Sequence, residues 1–378
     1  MRPLPTLALV SLTLALGAAC DPEGPGLIPK KTVTLASGVT MAYTEIGPAD
    51  AEAVIFLHGY TDTARSFWAT AQALAKATTR RRLVLVDQRG HGASSMPAVA
   101  GCADAPEGCF RPVDMAEDLL DFMDATGIEH ATLVGHSMGS FVAQEVALTA
   151  PERVDALVLI GTAARITGNA VVQEYILNEP VEGSWRAAFE AQGYLFPSGV
   201  FALPPTEGDP SAWTWIETAW VTEPAAAPEL LAAIVPETAA TKMGAWVGAA
   251  RALLTVDHAV RLEALEVPAL VLWGTQDLIF PAADQEELLA RLDVAAADCA
   301  SRYVFKAYGA RPFPEDFVVD DIGHNTQWAL PEAVAADIDA FLRTGEPTDD
   351  LYYATLEAPK TVVKVPGAAE VRRSATCD

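Results

Sequence analysis

The chain alternates short, continuous apolar runs with longer stretches of helical spacing. The apolar runs are "AVIFL" (53–57), "RLVLVD" (82–87), "ATLVGH" (131–136), "VDALVLI" (154–160) and "PALVLWG" (268–274). Each has strand length and no sustained apolar–polar alternation, so both faces of each are expected to be covered. Between them, "ARSFWATAQALAKA" (64–77), "VDMAEDLLDFMDATG" (113–127) and "SFVAQEVALTAP" (140–151) repeat apolar positions every three to four residues. Gly127 stops the second of these helices and Pro151 the third. Ahead of them, "TVTLAS" and "VTMAYTEIG" read as a hairpin over residues 32–47 that leads into the sheet. Buried strands joined by helices predict the α/β class: a mostly parallel central sheet with helices on both faces. In such sheets reactive groups gather at the carboxyl ends of the strands.

The alternation breaks between Thr162 and about His258. That stretch carries Trp185, Phe189, Tyr194, Phe196, Trp213, Trp215, Trp220 and Trp246, with prolines between its helical pieces. It reads as a helical insertion, a cap, lying over the strand ends. Most of its aromatics are expected to pack the cap itself, with two or three facing a pocket. The expected organisation is thus a core over 31–161 and 259–343, a cap over 162–258 and a tail over 344–378.

The first residues are read apart from the fold. Met1-Arg2 is a basic start, Leu4 to Leu16 is apolar, and Gly17-Ala18-Ala19 precedes Cys20. The run is shorter than the ~20 residues that span a bilayer and suits a signal peptide over 1–19. Its cysteine resembles the lipidated residue of bacterial lipoprotein signals, although Gly17 stands where those signals prefer an aliphatic residue. Export with a lipid on Cys20, or plain secretion, is the expectation, with residues 20–30 a Pro/Gly-rich tether.

The other cysteines, Cys102, Cys109, Cys299 and Cys377, allow three pairings. Cys102 and Cys109 flank "ADAPEG" and close most easily, which leaves Cys299 with Cys377 to tie down the tail. Hydrophobic residues are 51% and charged residues 20% of the 378, a globular balance. The formal net charge of −25 argues against nucleic acid or an anionic membrane surface as a partner.

Candidate chemistry centres on Gly135-His136-Ser137-Met138-Gly139, where a strand ends and a helix begins. A sharp turn there forces the serine backbone into an unfavourable conformation, and side chains two before and two after would collide. Ser137 is therefore the candidate nucleophile, and it needs a base. His136 is expected to point away from it around the elbow, His130 and His258 to sit at surface or packing positions, and His91 to be structural. His324, in "VVDDIGHNTQW", lies on a loop at the carboxyl edge of the sheet and is the candidate base. Asp277, after "LVLWG", is the candidate acid that orients it, whereas "LVLIGTAAR" offers no carboxylate and Asp320 and Asp321 read as turn formers. The backbone N–H groups of Met138 and of Tyr60, in "FLHGYTDT", are the candidate oxyanion donors. No histidine pair has the helical spacing of a metal site, and neither metal nor cofactor is expected.

With His58-Gly59, "DQRGHGAS" (87–94), the Ser137 elbow, "WGTQD" and "GHNTQWALPEAVAADIDAFL" in this order, the chain resembles the capped α/β-hydrolase superfamily from about residue 30 to 343. The resemblance implies acyl transfer through an acyl-enzyme on Ser137. Serine at the elbow departs from the aspartate that epoxide hydrolases and haloalkane dehalogenases of the superfamily use. A carboxylic ester of a small, apolar molecule is the expected substrate. A lactonase, a C–C bond hydrolase, an aminopeptidase and a perhydrolase stay open on the same three residues, with Glu179, Glu182 and Glu217 available to hold a substrate amine. A non-catalytic small-molecule binder is the alternative class, though such proteins typically lose a triad member.

Overall fold

In the computed structural model the described residues are 28–77, 80–297, 301–309, 321–355 and 361–374. The expectations for residues 1–27, Cys20 included, and for Asp320, Cys299 and Cys377 lie outside them. The strands are β1 (Lys31–Thr34), β2 (Thr40–Ile46), β3 (Ala53–Leu57), β4 (Arg82–Asp87), β5 (Ala131–His136) and β6 (Val154–Ile160). They continue with β7 (Ala269–Gly274), β8 (Tyr303–Tyr308), β9 (Leu351–Ala354), β10 (Val362–Val365) and β11 (Val371–Arg373). Nine form one sheet in the order β1-β2-β4-β3-β5-β6-β7-β8-β11. β3 to β8 run parallel, and antiparallel pairs close both edges.

The period of two along each strand sorts the core into two layers. Val54, Phe56, Leu83, Leu85, Val158 and Leu270 pack with the helices Trp68–Ala75 and Pro331–Thr344. Ile55, Leu57, Val84, Leu133, Leu159 and Val271 pack with Pro112–Ala125, Met138–Thr149 and Ala282–Ala297. β3 lies between β4 and β5, so the chain reverses its direction of travel across the sheet at β3/β5. In that register Leu57 faces Gly135, which brings the loops after β3 and β5 out side by side at the switch point.

Between β6 and β7 the described chain is helical, and its principal helices are Val171–Trp185, Pro228–Ala239 and Met243–Leu253. The ends of the insertion pair: Ile166 N–H donates to Val256 O (3.0 Å) and His258 N–H to Ala164 O (2.9 Å). Trp185 and Trp246 are fully buried, edge to face with centroids 5.0 Å apart. Tyr60 continues that stack at 5.4 Å from Trp246, which joins the cap's aromatic core to the sheet's.

Two features depart from the sequence reading. β8, "YVFKAY", was not anticipated because Lys306 interrupts its apolar run; the ammonium is fully buried and donates to Asp337 Oδ1 (2.9 Å) and Thr348 O (2.9 Å). The tail is also more than an appendage: β11 adds an antiparallel edge to β8, and β9 pairs with β10. Cys102 and Cys109 form the expected disulfide. Among the described residues no helix is long and apolar enough to cross a membrane.

Candidate active site

Ser137 follows β5 directly and caps the helix Met138–Thr149 with φ 49° and ψ −120°. A non-glycine residue in such a conformation costs about 1–3 kcal/mol and persists only where its surroundings enforce it. They do. Ser137 N–H donates to Ile160 O (3.0 Å) and Ser137 O accepts from Ser140 N–H (2.8 Å). A Cβ on Gly135 would stand 2.4 Å from Gly139 O, and one on Gly139 would stand 2.1 Å from Leu57 O. Only glycines admit this turn, which holds the Ser137 side chain at the positive end of the helix.

His324 and Asp277 arrive from far along the chain. Asp277 follows β7 and is buried; its Oδ1 accepts the N–H groups of Ile279 and Phe280 (2.9 Å each). Its Oδ2 takes the Nδ1–H of His324 at 2.8 Å. Because a carboxylate only accepts, this contact places the proton on Nδ1 and leaves Nε2 as the acceptor. Nε2 is buried and makes no hydrogen bond, which leaves its lone pair open toward the cavity that Ser137 also lines. Gly161, the residue after β6, is what lets the ring sit there. A Cβ on it would stand 3.0 Å from both Nδ1 and Cε1 of His324.

The loop after β3 forms the opposite wall. Tyr60 lines the cavity, while Met138 is buried immediately behind Ser137 as the first helical residue, whose N–H has no partner one turn earlier. Thr61 holds φ 60°, with its Oγ–H bonded to Tyr60 O (2.7 Å). Tyr60 OH donates to Trp246 O of the cap (2.5 Å), and Trp220 Nε1–H donates to Thr61 Oγ1 (2.8 Å). Beneath the loop, His58 Nε2 accepts Gln88 N–H at 2.9 Å, and burial, aided by nearby His91, pushes its pKa well below the usual value. His91 is likewise neutral, lowered to about 4 by burial, and bonds Arg89 O (2.8 Å). Asp87 accepts Ala64 N–H and Ala93 N–H (2.8 Å each), and Arg89 binds Asp118 (2.7 Å). These groups brace the loops and do not line the cavity.

His136 corrects its expectation. It does not turn away from the site: it lines the cavity, its ring lies 4.8 Å from that of His324, and its Nε2–H donates to His324 O at 3.1 Å. Burial foremost, then the neighbouring His324, keeps its pKa well below normal, so it supports the His324 loop as a neutral ring. His130 is exposed beside Asp155, and His258 is buried against Glu145 and Gln144. Asp321 lines the cavity and accepts Ala354 N–H (2.7 Å).

The cavity enclosed by these loops and the cap has a volume of about 580 Å³. Of the eight cap aromatics singled out from the sequence, Trp220 faces it, and Tyr175 joins it. Glu179 is in its wall, whereas Glu182 pairs with Arg251 (2.7 Å) and Glu217 stands outside. Among the described residues the lining holds Asp62, Glu174, Glu179, Glu223 and Asp321 but no Lys or Arg. Asp62 and Glu223 are both raised to about 7, chiefly by burial. Ser66 and Thr63 N–H partly offset this at Asp62, as do Gly323 N–H and Asn325 N–H at Glu223. Sequence reasoning missed Gly161, Asp62 and Glu223; a glycine directly after a buried strand, Gly161 after β6, was the one available signal. Among the described residues no group of three or more His, Cys, Asp or Glu is placed to hold a metal ion.

Comparison with known proteins agrees with this architecture. A 3-oxoadipate enol-lactonase of Acinetobacter baylyi is 27% identical over 259 residues, covering 68% of this chain and 84% of that protein. An epoxide hydrolase of Caballeronia sordidicola is 35% identical over a shorter stretch of 121 residues, 32% of this chain and 33% of that protein. The crystal structure of an esterase from Exiguobacterium antarcticum superimposes with a TM-score of 0.59 at 19% identity, over 83% of this chain and 99% of that one. Residues 52–328 match the family model described as alpha/beta hydrolase fold, and the chain belongs to that family.

Proposed function

We propose that the protein is a serine hydrolase that cleaves carboxylic esters of small, uncharged molecules through an acyl-enzyme on Ser137. The observation that carries this reading is the Asp277–His324 pair at 2.8 Å, whose free Nε2 shares one cavity with a serine strained onto a helix N-terminus. Ser137 Oγ attacks the ester carbonyl while His324 Nε2 takes its proton. The N–H groups of Met138 and Tyr60 receive the oxyanion. The imidazolium returns the proton to the departing alkoxide, which leaves as the alcohol. Water, deprotonated by the same nitrogen, then releases the acid and restores Ser137.

A lactone is the second reading, favoured by the likeness to a 3-oxoadipate enol-lactonase. A lactone of a dicarboxylate keeps a free carboxylate, however, and among the described residues this cavity offers five acidic side chains and no Lys or Arg to meet it. Repulsion favours a neutral ester or lactone over that anion. Residues 1–30 support a further part of the proposal: export, with a lipid on Cys20 as the membrane contact.

The test is turnover of p-nitrophenyl esters of increasing acyl length, beside neutral and anionic lactones. Hydrolysis of the short neutral esters, lost in Ser137→Ala, is expected. Preference for an anionic lactone, or equal turnover by the variant, contradicts the proposal.

A further inference from the structure

A short piece of the cap touches both halves of the site. Glu223 lies between the helices Ile216–Trp220 and Pro228–Ala239, and it is buried, with 3% of its surface exposed. Its Oε1 accepts Gly323 N–H and its Oε2 accepts Asn325 N–H, both at 3.1 Å. The two donors are the residues on either side of His324. Gly323 is needed for this approach, because a Cβ there would stand 2.8 Å from Glu223 Oε2. Thr222 O adds a bond from Asn325 Nδ2 at 3.3 Å. Three residues earlier, Trp220 holds Thr61 on the loop that carries Tyr60.

We propose that Glu223 is a positioning residue that clasps the backbone on both sides of His324, so that alignment of the base depends on the cap being closed. The inference rests on the serine-hydrolase reading above. Asp277 sets the rotation of the His324 ring, and Glu223 sets the height of the loop beneath it. Burying a carboxylate with no Lys or Arg among the described residues of the cavity wall is costly, and two charge-assisted N–H bonds are its return. Among the described residues, the charged and titratable groups around His324 are Asp277 on its Nδ1, the neutral ring of His136, Asp321 on the same loop and Glu223 itself. Opening of the cap removes Trp220 from Thr61 and Glu223 from Gly323 and Asn325 together. The clasp therefore couples the oxyanion loop to the base.

The experiment measures kcat and KM for a neutral p-nitrophenyl ester in wild type, Glu223→Ala and Glu223→Gln, with active sites counted by fluorophosphonate labelling. For Glu223→Ala, kcat per labelled site is expected to fall about 30-fold with KM within about threefold, as befits a misplaced rather than missing base. Glu223→Gln keeps one acceptor and turns an NH2 toward the other N–H, so a loss of about fivefold is expected, and it serves if the alanine variant does not fold. Because the Glu223 carboxyl is raised to about 7, the wild-type acid limb of kcat/KM should be steeper than one proton allows and return to one proton in Glu223→Gln. A purely structural role lowers melting temperature or the labelled fraction and moves neither readout. Values of kcat per site within twofold of wild type in both variants, or identical acid limbs, overturn the proposal. Wild type that takes no label overturns the serine-hydrolase reading instead, and this inference falls with it.

Discussion

The sheet and the cap contribute to the site by different physical means. The strand ends supply reactive groups and hold them with backbone geometry: Ser137 at positive φ between two glycines that admit no side chain, and His324 over Gly161. The cap supplies side chains that reach down to the loops, Trp220 on Thr61 and Glu223 around His324, and a backbone carbonyl, Trp246 O, that accepts from the Tyr60 hydroxyl. On the proposed function, chemistry is thus built into the sheet layer, and alignment comes from the insertion. The comparison predicts that core changes abolish turnover in a folded protein, whereas cap changes cost stability or alignment.

The largest effect short of removing the nucleophile is expected from Asp277→Asn. It should lower kcat/KM by about 10⁴-fold, since the amide either donates toward Nδ1 or imposes the wrong tautomer. Melting temperature should change little, because one oxygen can still accept from Ile279 and Phe280. A large loss of stability would place Asp277 in the scaffold rather than the chemistry.

Trp246→Ala tests the other side. The ring is fully buried among Trp185, Trp215, Trp220 and Tyr60, so about 3–5 kcal/mol of stability should be lost in denaturant unfolding. Near-wild-type stability would mean that the cap's aromatic core is not what joins it to the sheet. Gly161→Ala should have a smaller effect, lowering kcat by about tenfold with little change in KM. Its φ of +52° disfavours any side chain, and the new methyl meets the His324 ring. Unchanged kcat would show that the ring has room to move.

These residues were not equally legible. Ser137 and Asp277 each follow a signal with a physical cause: a buried apolar run, then a turn, then a polar residue at the strand's carboxyl end. His324 was legible as the histidine of "VVDDIGHNTQW" directly ahead of a helix. The same periodicity identified β3 to β7 and the helices between them. β8 escaped because Lys306 breaks its apolar pattern, and only the distant Asp337 and Thr348 explain a lysine there. Glu223 escaped because an acid in a cap loop is indistinguishable by sequence from the solvated acids that give the chain its charge of −25. His136 was placed on the wrong side of the elbow because adjacency along the chain says nothing about which loop will cross above it.

The least drastic prediction concerns pH. Asp62 and Glu223 titrate at about 7 when folded, against roughly 4 when unfolded. Between those values the folded state binds protons that the unfolded chain does not, so these groups make stability rise as pH falls from 8 toward 5. Relief of self-repulsion at a net charge of −25 acts in the same direction. Melting temperature should therefore be higher at pH 5.5 than at pH 8 while activity is lower, with a smaller rise in Glu223→Gln. A melting temperature that falls over that interval would contradict the assigned burial.

The central claim, a nucleophile at Ser137 activated by His324 and Asp277, is tested most directly by covalent labelling. A fluorophosphonate should add once per chain, map to the peptide containing Ser137 and abolish ester turnover in proportion to the label. Ser137→Ala should take none. Labelling elsewhere with activity retained, or equal labelling of the variant, contradicts the account.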